Sequence, residues 1–335
     1  MKRLLGACAL LAAFFLPAAA AEQCQPLKIV ASVNMIVERG RILIPVTVGD
    51  EQIYFTVGTA QPYSAISASY AEAHKFTRIH SDVSFVNLSG EVSNVAAIVP
   101  SFGLDRLKAE HTTFITANMR DEAAAPGAIV PHGVLGADFL RAYDVEFDFA
   151  AAKLNLISRD HCDAMPVYWP SQTLAKVPMI VTDLNKISFK MTLDGHELQA
   201  VMNTALPGSS IRMGIAKEVF DLNNDSPGNV MVGKLGNGTQ LYAHRFQSLS
   251  VDGLAISNPV LVLMPSLADE QIEHMRNLHV APSRAPMYVH QQPELVLGLN
   301  ELKHLHVYID YHHQMVYLTP ATAPAAAATQ KAAGP

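Results

Sequence analysis

The chain repeats itself. Residues 42–66, ILIPVTVGDEQIYFTVGTAQPYSAI, align without a gap on residues 187–211, ISFKMTLDGHELQAVMNTALPGSSI. Val46, Thr47 and Val48 fall on Met191, Thr192 and Leu193; Gly58-Thr59-Ala60 falls on Asn203-Thr204-Ala205; Pro62, Ser64 and Ile66 fall on Pro207, Ser209 and Ile211. A second block, GVLGADFLRAYDVEFDFAAAKLNLI at 133–157, matches LVLGLNELKHLHVYIDYHHQMVYLT at 295–319, so that Leu135-Gly136 falls on Leu297-Gly298, Val145 on Val307 and Asp148 on Asp310. Two blocks in the same order indicate one domain duplicated. Whatever fold one half adopts, the other must adopt as well.

Within each half the pattern is that of short strands. RILIPVTVG alternates and carries β-branched residues, which predicts a strand. Gly49-Asp50 and Asp194-Gly195 are hairpin turn signals, each leading into a second strand, IYFTV or ELQAVM. The loop at Gly58 or Asn203 follows, then a short helix: SASYAEAHKF, with Ser67 as N-cap, and GIAKEVFDL. Hairpins turning near Ser89-Gly90 and Asn237-Gly238 come next, and each half closes with a Leu-Gly segment, a short helix and a last hairpin. The expectation is an all-β domain twice over, spanning 22–165 and 166–320. The pattern breaks between the halves at RDHCDAMPVYWPSQT, and the Pro/Ala-rich tail 321–335 is assigned no fold.

Composition narrows the function classes. The chain is 50% hydrophobic and 16% charged, which suits a well-buried globular protein and argues against disorder. A formal net charge of -6 with no basic cluster excludes nucleic acid as an expected partner. MKRLLGACALLAAFFLPAAAA has a basic start, an apolar run and small residues at Ala18–Ala21, so residues 1–21 read as a signal peptide. Its removal takes Lys2 and Arg3 and makes the chain two units more negative. LGAC, ending at Cys8, looks like a lipoprotein box but stands too near the start to follow an apolar segment. A periplasmic or secreted protein with no stable membrane span is expected. In such a compartment Cys24 and Cys162 pair as a disulfide, against the alternative of two free thiols. The long loop it closes is worth up to about 5 kcal/mol.

A strand running into a Thr-centred loop, then a helix, then Leu-Gly-x-Asp-x-Leu, found twice, resembles the aspartic protease unit of pepsin-like and retropepsin-like proteins. The resemblance covers about 40–160 and 185–320 of this exported, bacterial-type chain. It implies two β-barrel domains in a bilobal arrangement with a cleft between them. It also implies one catalytic Asp per half, the pair sharing a proton and activating a water. By position those acids fall on Gly58 and Asn203. Neither accepts a proton at neutral pH, so the expected catalytic set is empty. Ala60 and Ala205 stand where the family has glycine. Thr59 and Thr204 match the threonines that link the two loops, and Leu135-Gly136 and Leu297-Gly298 match the segments packed behind them. Asp138, Asp148 and Asp310 match positions outside the catalytic pair and read as helix-cap or strand-end acids.

Other chemistries find less support. His304, His306, His312 and His313 offer a His-x-His and a pair, but strand neighbours point to opposite faces, so they read as surface histidines and no metal is expected. Ser64, Ser209 and Ser210 lack a nucleophile elbow and read as turn or helix-start donors. No dinucleotide fingerprint or P-loop appears, and no cofactor is expected. Two functions remain: a binding or structural protein holding an extended peptide or protein in the interdomain cleft, with hairpins near Asn87–Val92 and Gly236–Gly238 covering it, or an active aspartic-type peptidase using a replacement carboxylate.

Overall fold

A computed structural model describes residues 25–86, 92–119, 127–162, 167–182, 184–235, 238–265 and 293–321. The expected signal peptide, Cys8, Cys24, the hairpin tips at 87–91 and 236–237 and the tail from 322 onward lie outside the described residues. The architecture is all-β, duplicated and bilobal, with short helices, as the pepsin-like resemblance implies. Among the described residues no helix is long and apolar enough to cross a membrane.

The sequence repeat is a repeat of ladders. Arg41–Val48 pairs antiparallel with Glu51–Val57, and Ile187–Leu193 with His196–Met202. The second hairpin turns through Asp194 and Gly195, both at positive φ, as a tight two-residue turn between right-twisted strands requires. Each second strand then takes a parallel partner: Val57 stands opposite Leu135 and Met202 opposite Leu297. The short strand Ala65–Ser67 lies antiparallel to Pro131–Leu135 and parallel to Leu107–Ala117. Ser210–Arg212 sits in the same way between Leu295–Leu297 and Val260–Met264. Ser67 accepts a hydrogen bond from the Tyr70 N–H and caps the helix Ala68–Ala73; the counterpart helix Met213–Phe220 has no side-chain cap.

A third ladder joins the halves. Asp144–Asp148 runs antiparallel to Leu305–Asp310, with Val145 opposite Ile309 and Phe147 opposite Val307. Under the repeat Val145 corresponds to Val307 and Phe147 to Ile309. The ladder therefore maps onto itself when the halves are exchanged, which places a local two-fold axis through it. Lys153–Ile157 and then Ile29–Asn34 extend this sheet on one side, Met315–Pro320 and then Ala175–Val181 on the other. Residues 144–147 and 305–310 are all buried, so this strand pair is covered on both faces.

The two Leu-Gly segments let the loops at 58–63 and 203–208 dock. The first N–H groups of the helix Ala137–Leu140 are taken up by loop carbonyls, Ala137 by Gln61 at 2.7 Å and Asp138 by Pro62 at 3.3 Å. In the other lobe Leu299 N–H binds the Leu206 carbonyl at 2.9 Å and Asn300 N–H the Pro207 carbonyl at 2.8 Å. This backbone approach leaves no room for a side chain: a Cβ on Gly298 would lie 2.3 Å from the Gly208 oxygen, and one on Gly136 2.6 Å from the Tyr63 carbonyl carbon. Both glycines have ordinary negative φ, so contact and not dihedral freedom demands them. Gly298→Ala is expected to destabilise the protein by about 3 kcal/mol, because backbone cannot move aside as a side chain can. Urea unfolding checks this, and an unchanged midpoint would mean the loop is not docked.

Candidate functional site

The two lobes meet where the strands Glu51–Val57 and His196–Met202 end. Each strand is stopped by its parallel neighbour: Gly58 N–H donates to the Leu135 carbonyl at 3.0 Å, and Asn203 N–H to the Leu297 carbonyl at 2.9 Å. The chain then turns, and one threonine from each lobe crosses to the other. Thr59 Oγ1 donates to the Met202 carbonyl at 2.9 Å and accepts from the Thr204 N–H at 3.2 Å. Thr204 Oγ1 donates to the Val57 carbonyl at 2.8 Å and accepts from the Thr59 N–H at 3.1 Å. Both threonines are buried, and all four bonds run between lobes. Serving as donor and acceptor at once needs a hydroxyl.

This lattice fixes what precedes each threonine. Gly58 is buried, and a Cβ placed on it would lie 2.9 Å from Gln61 Cβ and 3.6 Å from Ala205 Cβ in the opposite loop. Asn203 is half-buried, and its Oδ1 accepts the Ala205 N–H at 3.0 Å, closing a local side-chain turn. Neither position carries a group that takes up a proton at neutral pH. The site can orient partners and exchange hydrogen bonds.

Behind each loop a serine ties the turn to the helix after it. Ser64 Oγ donates to Asp138 Oδ1 at 2.7 Å and accepts the Gly136 N–H at 2.9 Å; the same carboxylate oxygen takes the N–H groups of Ser64 and Phe139. In the other lobe Ser209 Oγ accepts the Gly298 N–H at 2.8 Å and donates to Glu301. Glu301 therefore does the work of Asp138 from one residue further on, since the position matching Asp138 is Asn300. The longer side chain reaches back across that extra residue. Glu301 is buried, and burial raises its pKa above the ordinary carboxylate range against the opposing Ser209 hydrogen bond. Ser64 and Ser209 are thus structural donors. Asp148 accepts the Ala151 N–H and Asp310 the His313 N–H, each in a strand-end turn.

The histidine reading needs one correction. His304 and His312 are exposed, but His306 is buried. Its ring stacks on Trp169 with centroids 3.7 Å apart, and its Nε2 lies 2.7 Å from Glu146 Oε1 across the lobe junction. Asn155 and Tyr168 donate to the other oxygen of Glu146. Burial works against the Glu146 carboxylate, but hydrogen bonds from His306, Tyr168 and Asn155 outweigh it and lower its pKa. Nothing in local pattern separates His306 from a surface histidine. DVEFD alternates polar and apolar residues as a half-exposed strand does, and only the structure shows residues 144–147 all buried, which obliges Glu146 to find partners.

No protein-family model matches the chain, and no curated protein matches it. Among solved structures, the basic 7S globulin from soybean is 9% identical, covering 89% of this chain and 96% of that one at a TM-score of 0.49. An aspartic proteinase from Irpex lacteus is 13% identical, covering 88% of this chain and 98% of that one, also at a TM-score of 0.49.

Thr59→Val keeps the shape and removes the hydroxyl, leaving the buried Met202 carbonyl and Thr204 N–H without that partner. It should cost about 2–4 kcal/mol in denaturant unfolding, with Thr204→Val similar and the pair far from additive. Glu301 carries a pH signature. A carboxyl whose folded pKa is raised binds its proton more tightly when folded, so stability falls as pH rises from about 4.5 through the folded pKa. Glu301→Gln removes that fall. The variant should gain stability relative to wild type on going from pH 4 to pH 7, as read by unfolding midpoints.

Proposed function

We propose that this is an exported, aspartic-proteinase-like protein that keeps the two-lobed scaffold, has lost the catalytic dyad, and holds an extended peptide without cutting it. One observation carries the reading. The residues presented beside the interlocked threonines are Gly58 and Asn203, a hydrogen atom and an amide. Aspartic-type hydrolysis needs two carboxyls sharing one proton, one to deprotonate water and one to protonate the substrate carbonyl. An amide imitates the neutral partner's hydrogen bonds and cannot act as the base. Asp138 and Glu301, the acids hydrogen-bonded to the loop segments, are engaged by Ser64 and Ser209 on the far side of the turns and make poor replacements. Removal of a dyad that acts as one unit leaves binding as the residual capacity. A groove between two β-lobes suits a peptide held through main-chain hydrogen bonds.

The same proposal takes 22–165 and 166–320 as the two units and a Cys24–Cys162 disulfide as the tie between the chain start and the linker. Supporting it, Gln25 N–H binds the Asp160 carbonyl at 3.1 Å and Cys162 N–H binds the Gln25 carbonyl at 2.9 Å. The residue after Cys24 is therefore held beside Cys162.

The rival is an active peptidase with a substitute acid. Incubation with denatured casein from pH 3 to pH 7, followed by mass spectrometry, separates the two. The expected result is no cleavage product above a buffer control, together with retention of labelled casein peptides on the immobilised protein. Pepstatin-sensitive cleavage by the wild-type chain overturns the proposal. Restoring the dyad as Gly58→Asp with Asn203→Asp also requires Gln61→Gly, since Gln61 Cβ stands 2.9 Å from where the new Cβ would be and alanine would keep that atom.

A further inference from the structure

The ladder that joins the halves ends on two acids. Continuing the register in which Val145 faces Ile309 sets Asp144 opposite Asp310. Both are buried, at 0% and 1% exposure. Like charges directly across a strand pair repel, and burial strengthens the repulsion by removing water. Such a pair needs a shared proton or a neighbouring cation. His161, also buried, comes in from the end of the first half, its Nε2 2.6 Å from Asp144 Oδ2. One ligand-capable atom from each of Asp144, His161 and Asp310 lies within 4.8 Å of the others.

The groups around this trio orient it as metal ligands are oriented. His161 Nδ1 lies 3.0 Å from the Cys162 carbonyl, which only accepts, so Nδ1 carries a proton; the 2.6 Å contact of Nε2 with Asp144 Oδ2 holds a second proton, the one a bound cation would displace. Asp144 Oδ1 is held by the Tyr311 N–H at 2.8 Å, which leaves Oδ2 facing inward. Asp310 is held by His313 on both oxygens, Oδ1 accepting the N–H at 2.7 Å and Oδ2 lying 2.8 Å from Nδ1. Imidazoles and carboxylates in metal centres are held by outer partners in this manner.

We propose that Asp144, His161 and Asp310 bind one divalent transition-metal cation of the zinc class, and that the cation clamps the two halves of the chain together at the end of their shared ladder. One imidazole and two carboxylates form a hard-to-borderline donor set that suits such an ion and neutralises both acids. Ligand bonds of about 2.0–2.2 Å place tetrahedral ligand atoms about 3.3 Å apart. That value lies above the present 2.6 Å contact and inside the 4.8 Å within which all three atoms fall, so small shifts of the side chains would bring them to ligand spacing. The site is structural: it is buried, and two of its ligands lie on opposite halves. It stands independently of the peptide-binding reading.

The test uses the whole mature chain, stripped with chelator and re-equilibrated with zinc chloride. One zinc per chain should survive gel filtration as read by elemental analysis, and the unfolding midpoint should rise. His161→Gln and Asp310→Asn should each weaken zinc binding tenfold or more. A double change at the exposed His304 and His312, to Ala, should leave it unaltered. If the ligand variants do not fold, cobalt added to the wild type decides, with paramagnetic broadening expected to centre on the Tyr311 and Cys162 amides. No stoichiometric zinc, undiminished affinity in the ligand variants, or broadening centred elsewhere overturns the site and leaves a proton-bridged imidazole–carboxylate cluster.

Discussion

Everything at the lobe junction depends on two threonine hydroxyls that each face a foreign strand end. A loop entering a buried interface carries N–H and C=O groups that water can no longer reach, and each must be paired. Thr59 and Thr204 solve this reciprocally: each hydroxyl takes one N–H and gives its proton to one carbonyl of the opposite half. The four bonds set the separation and rotation of the loops. They also set where the backbone of residues 58 and 203 stands, whatever side chains those positions carry. The groups that hold the scaffold are therefore distinct from the side chains at 58 and 203.

A second level of order surrounds this lattice. Serine hydroxyls tie the loops to the helices behind them, using an exposed aspartate in one lobe and a buried glutamate in the other. The two solutions differ by one residue in sequence and by much in environment. An exposed carboxylate keeps its hydration, whereas burial pushes the Glu301 carboxyl toward its neutral form. Duplication preserved the geometry and let the electrostatics diverge. The joining sheet shows the same freedom. Its two-fold axis relates Asp144 to His306, so one end of the ladder holds facing acids while the other end holds an imidazole stacked on Trp169.

The local elements were legible because their signals are local. Gly49-Asp50 and Asp194-Gly195 mark turns, Ser67 caps a helix, and alternation marks the strands Arg41–Val48 and Glu51–Val57. The position of the loops was legible for another reason: the repeat aligns Thr59 on Thr204, and the resemblance to the pepsin-like unit implies that these threonines link the two loops. The buried polar groups were not legible. Glu146, His306, Glu301 and His161 sit in segments whose pattern resembles that of any strand end or helix start. Their burial depends on segments distant in the chain: His306 meets Glu146 across 160 residues and Glu301 meets Ser209 across 92.

By itself, the sequence determined that there are two copies of one β-domain and that Gly58 and Asn203 stand at equivalent places in them, since repetition is a property of the chain alone. Tertiary structure decided that the two copies share a continuous ladder, that Asp144 faces Asp310, and that His306 is indoors. Those outcomes depend on which strand finished beside which, and pairing between distant strands is selected by packing of the whole molecule, not by any stretch of residues read in order.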